Sequence, residues 1–255
     1  MRTTVHGMSS YLLVHGAWCG GWVWDDLTQQ LEKAGHRVTV VDQLPSAGTD
    51  PVALGDLTAD ANHVRAVLDS LDEPVVLVGH SYGGMVITEA GADERVAQLV
   101  YVTSMMPETG QSLADLVGSQ PAPWMDPGED GTVGVHADIV RELFLQDCEE
   151  ATVQQALERL TRQSAMPFAQ RPRHIAWQHK PSTYFVCTED LAIPAPLQRQ
   201  RASGRVIDFP QAITRSYPSP RPSPRASPLR SARSPEQTPV RQASDTVTSY
   251  DPHLR

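Results

Sequence analysis

Short apolar runs recur along the first hundred residues, separated by stretches with helical spacing. Tyr11-Leu12-Leu13-Val14 is apolar throughout and stops at His15-Gly16, which predicts a buried strand. Trp22 to Ala34 then places Trp24, Leu27 and Leu31 on one face, and Gly35 follows where a helix C-cap is expected. Val38-Thr39-Val40-Val41 predicts a second strand, Leu57 to Leu71 a helix, and Val75-Val76-Leu77-Val78 a third strand. A small-residue helix runs from Gly83 to about Ala92, and Val96 to Thr103 is one more strand. Strands that are apolar at successive positions, alternating with helices, imply a mostly parallel sheet covered on both faces. The predicted class is α/β.

From about Gly110 to Lys180 this rhythm stops. Ala137 to Phe144 and Ala151 to Leu160 have helical spacing, preceded by a loop around Pro121, Pro123, Trp124 and Pro127. The segment reads as a helical insertion, a lid over a site. Thr183-Tyr184-Phe185-Val186-Cys187 resumes the sheet, and Arg205-Val206-Ile207-Asp208-Phe209 predicts a further strand. Residues 1–210 therefore form the predicted domain. After Pro210 the composition changes: residues 211–255 hold eight Pro and eight Ser with interspersed Arg. Such a segment buries too little apolar surface to offset its ordering entropy, and a disordered tail is predicted.

Composition narrows the function classes. The 255 residues carry a formal charge of -9, which argues against a nucleic-acid binder. The charge is uneven: residues 211–255 hold seven Arg against three acidic residues, so the acidic character belongs to residues 1–210. Cys19, Cys148 and Cys187 are odd in number and widely spaced, which suits neither a disulfide framework nor a metal site. The first residues lack the apolar core of a signal peptide. No run approaches the roughly 20 apolar residues of a membrane span. The expected setting is cytoplasmic, with no membrane partner; the sequence does not indicate an oligomeric state.

Gly79-His80-Ser81-Tyr82-Gly83 lies between the strand Val75–Val78 and the small-residue helix. That is the context of a nucleophile elbow, in which a strained turn lifts a serine above the sheet at a helix N-terminus. A serine hydroxyl becomes a useful nucleophile when a base takes its proton and the developing oxyanion is held by N–H donors. One donor is the N–H after the nucleophile, here Tyr82. The second comes from the loop after an earlier strand, where His15-Gly16-Ala17-Trp18 offers the N–H of Ala17.

Three ordered segments carry a family resemblance. They are Val14-His15-Gly16-Ala17-Trp18-Cys19-Gly20-Gly21-Trp22-Val23-Trp24, Val78-Gly79-His80-Ser81-Tyr82-Gly83-Gly84-Met85 and Cys187-Thr188-Glu189-Asp190-Leu191-Ala192-Ile193-Pro194. Together they resemble the α/β-hydrolases related to plant methyl esterases and hydroxynitrile lyases, over about residues 9–210. The resemblance implies the α/β-hydrolase fold, Ser81 as nucleophile, Asp190 rather than Glu189 as the acid of a triad, and Ala17 and Tyr82 as oxyanion donors. It implies no metal and no organic cofactor, and a small-molecule ester as substrate. Trp18 and His15 are the expected substrate-binding residues, with bracing of the oxyanion loop as the alternative role for His15.

The base is the missing part. His80 adjoins Ser81, but neighbours at a strand end point to opposite sides, so it reads as structural. The resemblance places the triad histidine a couple of dozen residues after the acid, and the histidine that follows Asp190 here is His253, beyond the Pro/Ser/Arg tail. Two readings of the tail stand: a native extension, or a displaced reading frame. With C or G at each free third base, Gln211 to Tyr217 read from the last base of the first codon spells Gly-His-His-Pro-Leu-Leu, which resembles the expected histidine loop and favours the displaced frame. The function expected is a serine carboxylesterase acting on small, mostly apolar esters. The alternatives are a catalytically silent ligand-binding homologue and a lyase that cleaves cyanohydrins.

Overall fold

Leu12, Leu13 and Val14 are fully buried at 0 % exposure because their strand lies inside a sheet that is covered on both faces. The computed structural model describes residues 8–118, 120 and 122–211. In chain order it begins with β1 (Ser10–Val14), a single 3-10 turn at Gly21–Trp24, α1 (Asp25–Lys33), β2 (Arg37–Val40) and the two-residue β3 (Ala47–Gly48). Then come α2 (Leu57–Asp69), β4 (Val75–His80), α3 (Gly83–Ala90) and β5 (Val96–Val102). Asp56 caps α2 by accepting a 2.8 Å bond from the Ala59 N–H, one of the donors a helix start leaves unpaired.

The insertion follows as α4 (Leu113–Val117), β6 (Met125–Pro127), β7 (Thr132–Val135), α5 (Ala137–Phe144), α6 (Glu150–Arg159), β8 (Arg162–Ser164) and α7 (Met166–Ala169). The chain returns to the sheet with β9 (Ser182–Cys187), α8 (Ala195–Arg201) and β10 (Arg205–Phe209). The six main strands lie in the order β10-β9-β5-β4-β1-β2, and each neighbouring pair is parallel.

Alternate residues of the central strands serve different cores. Leu12, Val14 and Leu77 pack with α2 and α3 side chains such as Leu57, Val64 and Met85. Leu13 and Val78 pack on the other face with Trp22 and Trp24, and with Val140, Leu145 and Val153 of the insertion. α3 is buried along its whole length, which its run of small and apolar residues permits.

The insertion departs from the all-helical expectation. β6, β7 and β8 form an antiparallel sheet with β3, in the order β3-β8-β7-β6. These strands are two to four residues long and broken by Pro127, Gly128 and Gly131, too short for a two-residue alternation to register in the sequence. The predicted tail, His253 and the Gly-His-His-Pro-Leu-Leu frame fall on residues 212–255, outside the described residues. No described helix is long and apolar enough to cross a membrane.

Candidate active site

The chain leaves β4 at His80 and enters α3 at Gly83, so it must reverse within Ser81 and Tyr82. Ser81 does so at φ 51°, in the left-handed region that L-residues occupy at a cost. Glycine is required on both sides of the turn. A Cβ on Gly79 would lie 2.7 Å from the Gly83 carbonyl oxygen, and one on Gly83 would lie 2.7 Å from the carbonyl oxygens of Val14 and His15. The Ser81 carbonyl accepts from Gly84 N–H and Met105 N–H at 3.0 Å and from the Ser104 hydroxyl at 2.9 Å, which fixes the turn.

His80 and Ser81 are both among the residues that border the cavity. Burial, with His15 second, pushes the His80 imidazole down to about 3, so it is neutral at ordinary pH. A ring of that basicity is a weak proton acceptor. Trp24 packs edge-on against it, with centroids 6.3 Å apart.

His15 lies beneath the oxyanion loop and does not reach the cavity wall. Its Nε2 accepts from the Leu44 N–H at 3.2 Å, so the proton sits on Nδ1 and is donated to the Gly16 carbonyl at 2.8 Å. Burial brings this ring down to about 4, which keeps that neutral form. Ala17 and Trp18, held above it, do line the cavity, as does Tyr82. Among the described residues, the backbone N–H groups of Ala17 and Tyr82 donate to no protein acceptor. Backbone donors are otherwise nearly always paired inside proteins. Two unpaired donors beside a serine are the arrangement that holds a developing oxyanion.

Asp190 comes from the loop after β9 and lies on the same wall, 5 % exposed. One carboxylate oxygen accepts from Ala192 N–H at 2.8 Å and Ile193 N–H at 2.9 Å, and the other accepts from the Thr103 hydroxyl. Burial pushes the carboxyl up, against these three donors, which pull it down. Glu189 is exposed and off the wall. Among the described residues no histidine hydrogen-bonds Asp190, and His80 is the only imidazole on the cavity wall.

The cavity holds about 320 Å³ and is roofed by the insertion. Trp18 meets Trp124 edge-on at 5.4 Å, and Trp124 meets Phe144 at 5.3 Å, so the aromatic roof is continuous with the oxyanion loop. Polar bonds hold the two together. The Trp18 indole donates to the Val133 carbonyl at 2.8 Å, and the Trp18 N–H donates to the Gln163 side chain at 3.3 Å. A smaller chamber of about 30 Å³, bordered by Cys19, Val140 and Leu145, shares Ala17, Trp18 and Ser81 with the large one.

Sequence reasoning missed Asp60. It is 0 % exposed on α2, where Oδ1 accepts from Ser46 N–H at 2.8 Å and Oδ2 accepts from the Ser46 hydroxyl at 2.5 Å and the Tyr82 phenol at 2.6 Å. Gln163 donates in turn to the Ser46 hydroxyl, so this buried network runs from the residue after the nucleophile to the insertion and back to Trp18. The signal was present, since Asp60 interrupts the buried stripe Leu57, Ala61, Val64 and Leu68.

A six-stranded parallel sheet with a serine turn at the end of a central strand and a roof inserted after β5 defines the α/β-hydrolase fold. The chain belongs to the alpha/beta hydrolase family, whose model matches residues 11–218. It is 42% identical over 118 residues to a carbendazim hydrolyzing esterase of Nocardioides sp. (strain SG-4G), covering 43% of this chain and 48% of that protein. It is 37% identical over 110 residues to polyneuridine aldehyde esterase of Rauvolfia serpentina, covering 40% and 41%. The chain thus spans less than half the length of either relative in these matches. In structure it resembles a pyrethroid hydrolase from Sphingobium faniae JZ-2, with a TM-score of 0.70 at 22% identity over 83% of this chain and 92% of that one.

Proposed function

We propose that the chain is a serine carboxylesterase of small, mostly apolar esters. The observation that carries this reading is the pair of unpaired N–H donors, Ala17 and Tyr82, on one wall with Ser81. Ser81 Oγ attacks the acyl carbonyl, a base takes its proton, and the oxyanion sits between the two amides. Collapse expels the alcohol, which leaves with that proton, and water then releases the acid from the acyl-serine. The large chamber and the small one, which share Ser81, suit an ester with one bulky and one small branch. Trp18, in the roof, contacts the substrate, and His15 braces the loop. Esterase relatives support the reading.

Residues 1–210 are the catalytic domain in this reading, and 211–255 stand where a histidine loop belongs. The chain as written should hydrolyse p-nitrophenyl butyrate poorly, retaining roughly 10³–10⁴-fold over water from the oxyanion donors alone. Fast turnover abolished by Ser81→Ala would show that a base is present after all, and His253→Ala would be the next variant to make. The absence of a described histidine on Asp190 favours a second reading, a silent ligand-binding homologue. The DNA around codon 211 separates them: an intact alternative frame supports the esterase, and an ordinary in-frame tail supports the binder. Mandelonitrile cleavage without ester hydrolysis would instead indicate a lyase.

A further inference from the structure

Among the described residues lining the large cavity, Arg201 is the sole cation. It ends α8, and its neighbours in sequence behave differently. Arg199 turns outward and pairs with Asp208 at 2.7 Å. Arg201 turns inward, is half-buried, and has no carboxylate within ion-pair distance among the described residues. Its protein contacts are the Leu116 carbonyl at 2.5 Å and the Met105 sulfur at 3.3 Å. A guanidinium has five N–H donors in a planar fork, so most of this one is left without a protein acceptor among the described residues. Asp190, on the same wall, lies beyond ion-pair distance of it.

Met105 also places the group. Its N–H donates to the Ser81 carbonyl at 3.0 Å, so the guanidinium rests on the residue that braces the serine turn. We infer that Arg201 is an anion anchor, and that the cavity selects ligands with a free carboxylate beyond the apolar body, such as hemiesters of dicarboxylic acids. The carboxylate accepts two N–H bonds from the fork, a geometry lysine cannot reproduce. Low surrounding polarity strengthens the pairing. The assignment rests on reading this cavity as the substrate site.

The test is calorimetric titration of the full 255-residue chain with 4-phenylbutyrate and with the isosteric neutral 4-phenylbutyramide. The anion should bind about tenfold more tightly or better, as charged hydrogen bonds do. Arg201→Gln should abolish the preference, and Arg201→Lys should keep part of it. Equal affinity for the two ligands, no binding of the anion, or a preference that survives in a folded Arg201→Gln overturns the assignment. The Ala17 and Tyr82 N–H groups also attract an anion, so the preference is scored by its loss in Arg201→Gln or, where that variant fails to fold, in Arg201→Met. Hydrolysis of neutral p-nitrophenyl butyrate, sensitive to Ser81→Ala, scores the esterase reading separately. Turnover without anion preference sinks only the Arg201 assignment, and anion preference without turnover leaves it standing.

Discussion

Removing the Asp60 carboxylate tests whether the buried network underpins the site. Asp60→Ala leaves three donors without an acceptor: Ser46 N–H, the Ser46 hydroxyl and the Tyr82 phenol. Each buried orphan costs about 1–3 kcal/mol. Relief from holding a carboxylate at 0 % exposure offsets part of this, since burial pushes the Asp60 carboxyl up. The net loss should be about 3–5 kcal/mol, a large share of the roughly 5–15 kcal/mol of a whole domain. Tyr82→Phe deletes one donor and leaves Oδ2 bonded to Ser46, so about 1–2 kcal/mol is expected, or a Tm lower by about 2–8 °C. Urea unfolding followed by tryptophan fluorescence reads both. The folded state holds the Asp60 proton more tightly than the unfolded one, so this group's contribution falls as pH rises above the unfolded value near ~3.9. The advantage of the unmodified chain over Asp60→Asn should therefore shrink as pH rises above that value. An Asp60→Ala protein within about 1 kcal/mol of the parent would refute the reasoning.

Other expectations follow from the proposal that no imidazole serves Ser81 in the chain as written. Asp190→Asn should change turnover of the chain as written by less than about twofold, whereas in a histidine-restored protein it should cut turnover by roughly 10⁴-fold; a large loss in the unrestored chain would mean another base works beside Asp190. Restoring the Gly-His-His-Pro-Leu-Leu frame should raise Tm and esterase activity together, since Val206 and Phe209 of β10 stand 45% and 40% exposed and each large side chain covered adds roughly 1.5–3 kcal/mol. A restored protein no more stable and no more active would make the tail native.

The central strands β1 and β4 could be read because strands buried on both faces show as plain apolar runs. Ser81, Ala17 and Tyr82 could be grouped because each follows a strand, and parallel strands deliver the residues after them to one edge of the sheet; Asp190 joined them through the family resemblance. What escaped depended on partners far apart in the chain. His15 takes its bond from Leu44, 29 residues on. Trp18 and Gln163, which hold loop and roof together, are 145 residues apart. His80 is buried with its ring against Trp24, a contact 56 residues away in the chain.

Backbone strain bears on the choice between an esterase and a passive pocket. Among the described residues, the non-glycine residues with positive φ are Trp18 at 63°, Ser81 at 51° and Thr103 at 38°. Each costs about 1–3 kcal/mol and persists where the surroundings over-determine it. Trp18 and Ser81 line the cavity, and Thr103 donates to Asp190 on its wall. A pocket that only enclosed an apolar ligand would need aromatic walls and volume, which the roof supplies without any of this strain. The strained residues instead present a hydroxyl, fix the loop that bears an amide donor, and orient a carboxylate. Asp190 adds a further cost, a carboxylate held at 5 % exposure by three donors. Such expense makes physical sense where the carboxylate orients an imidazole beside an attacking serine, which is the arrangement the proposed esterase requires.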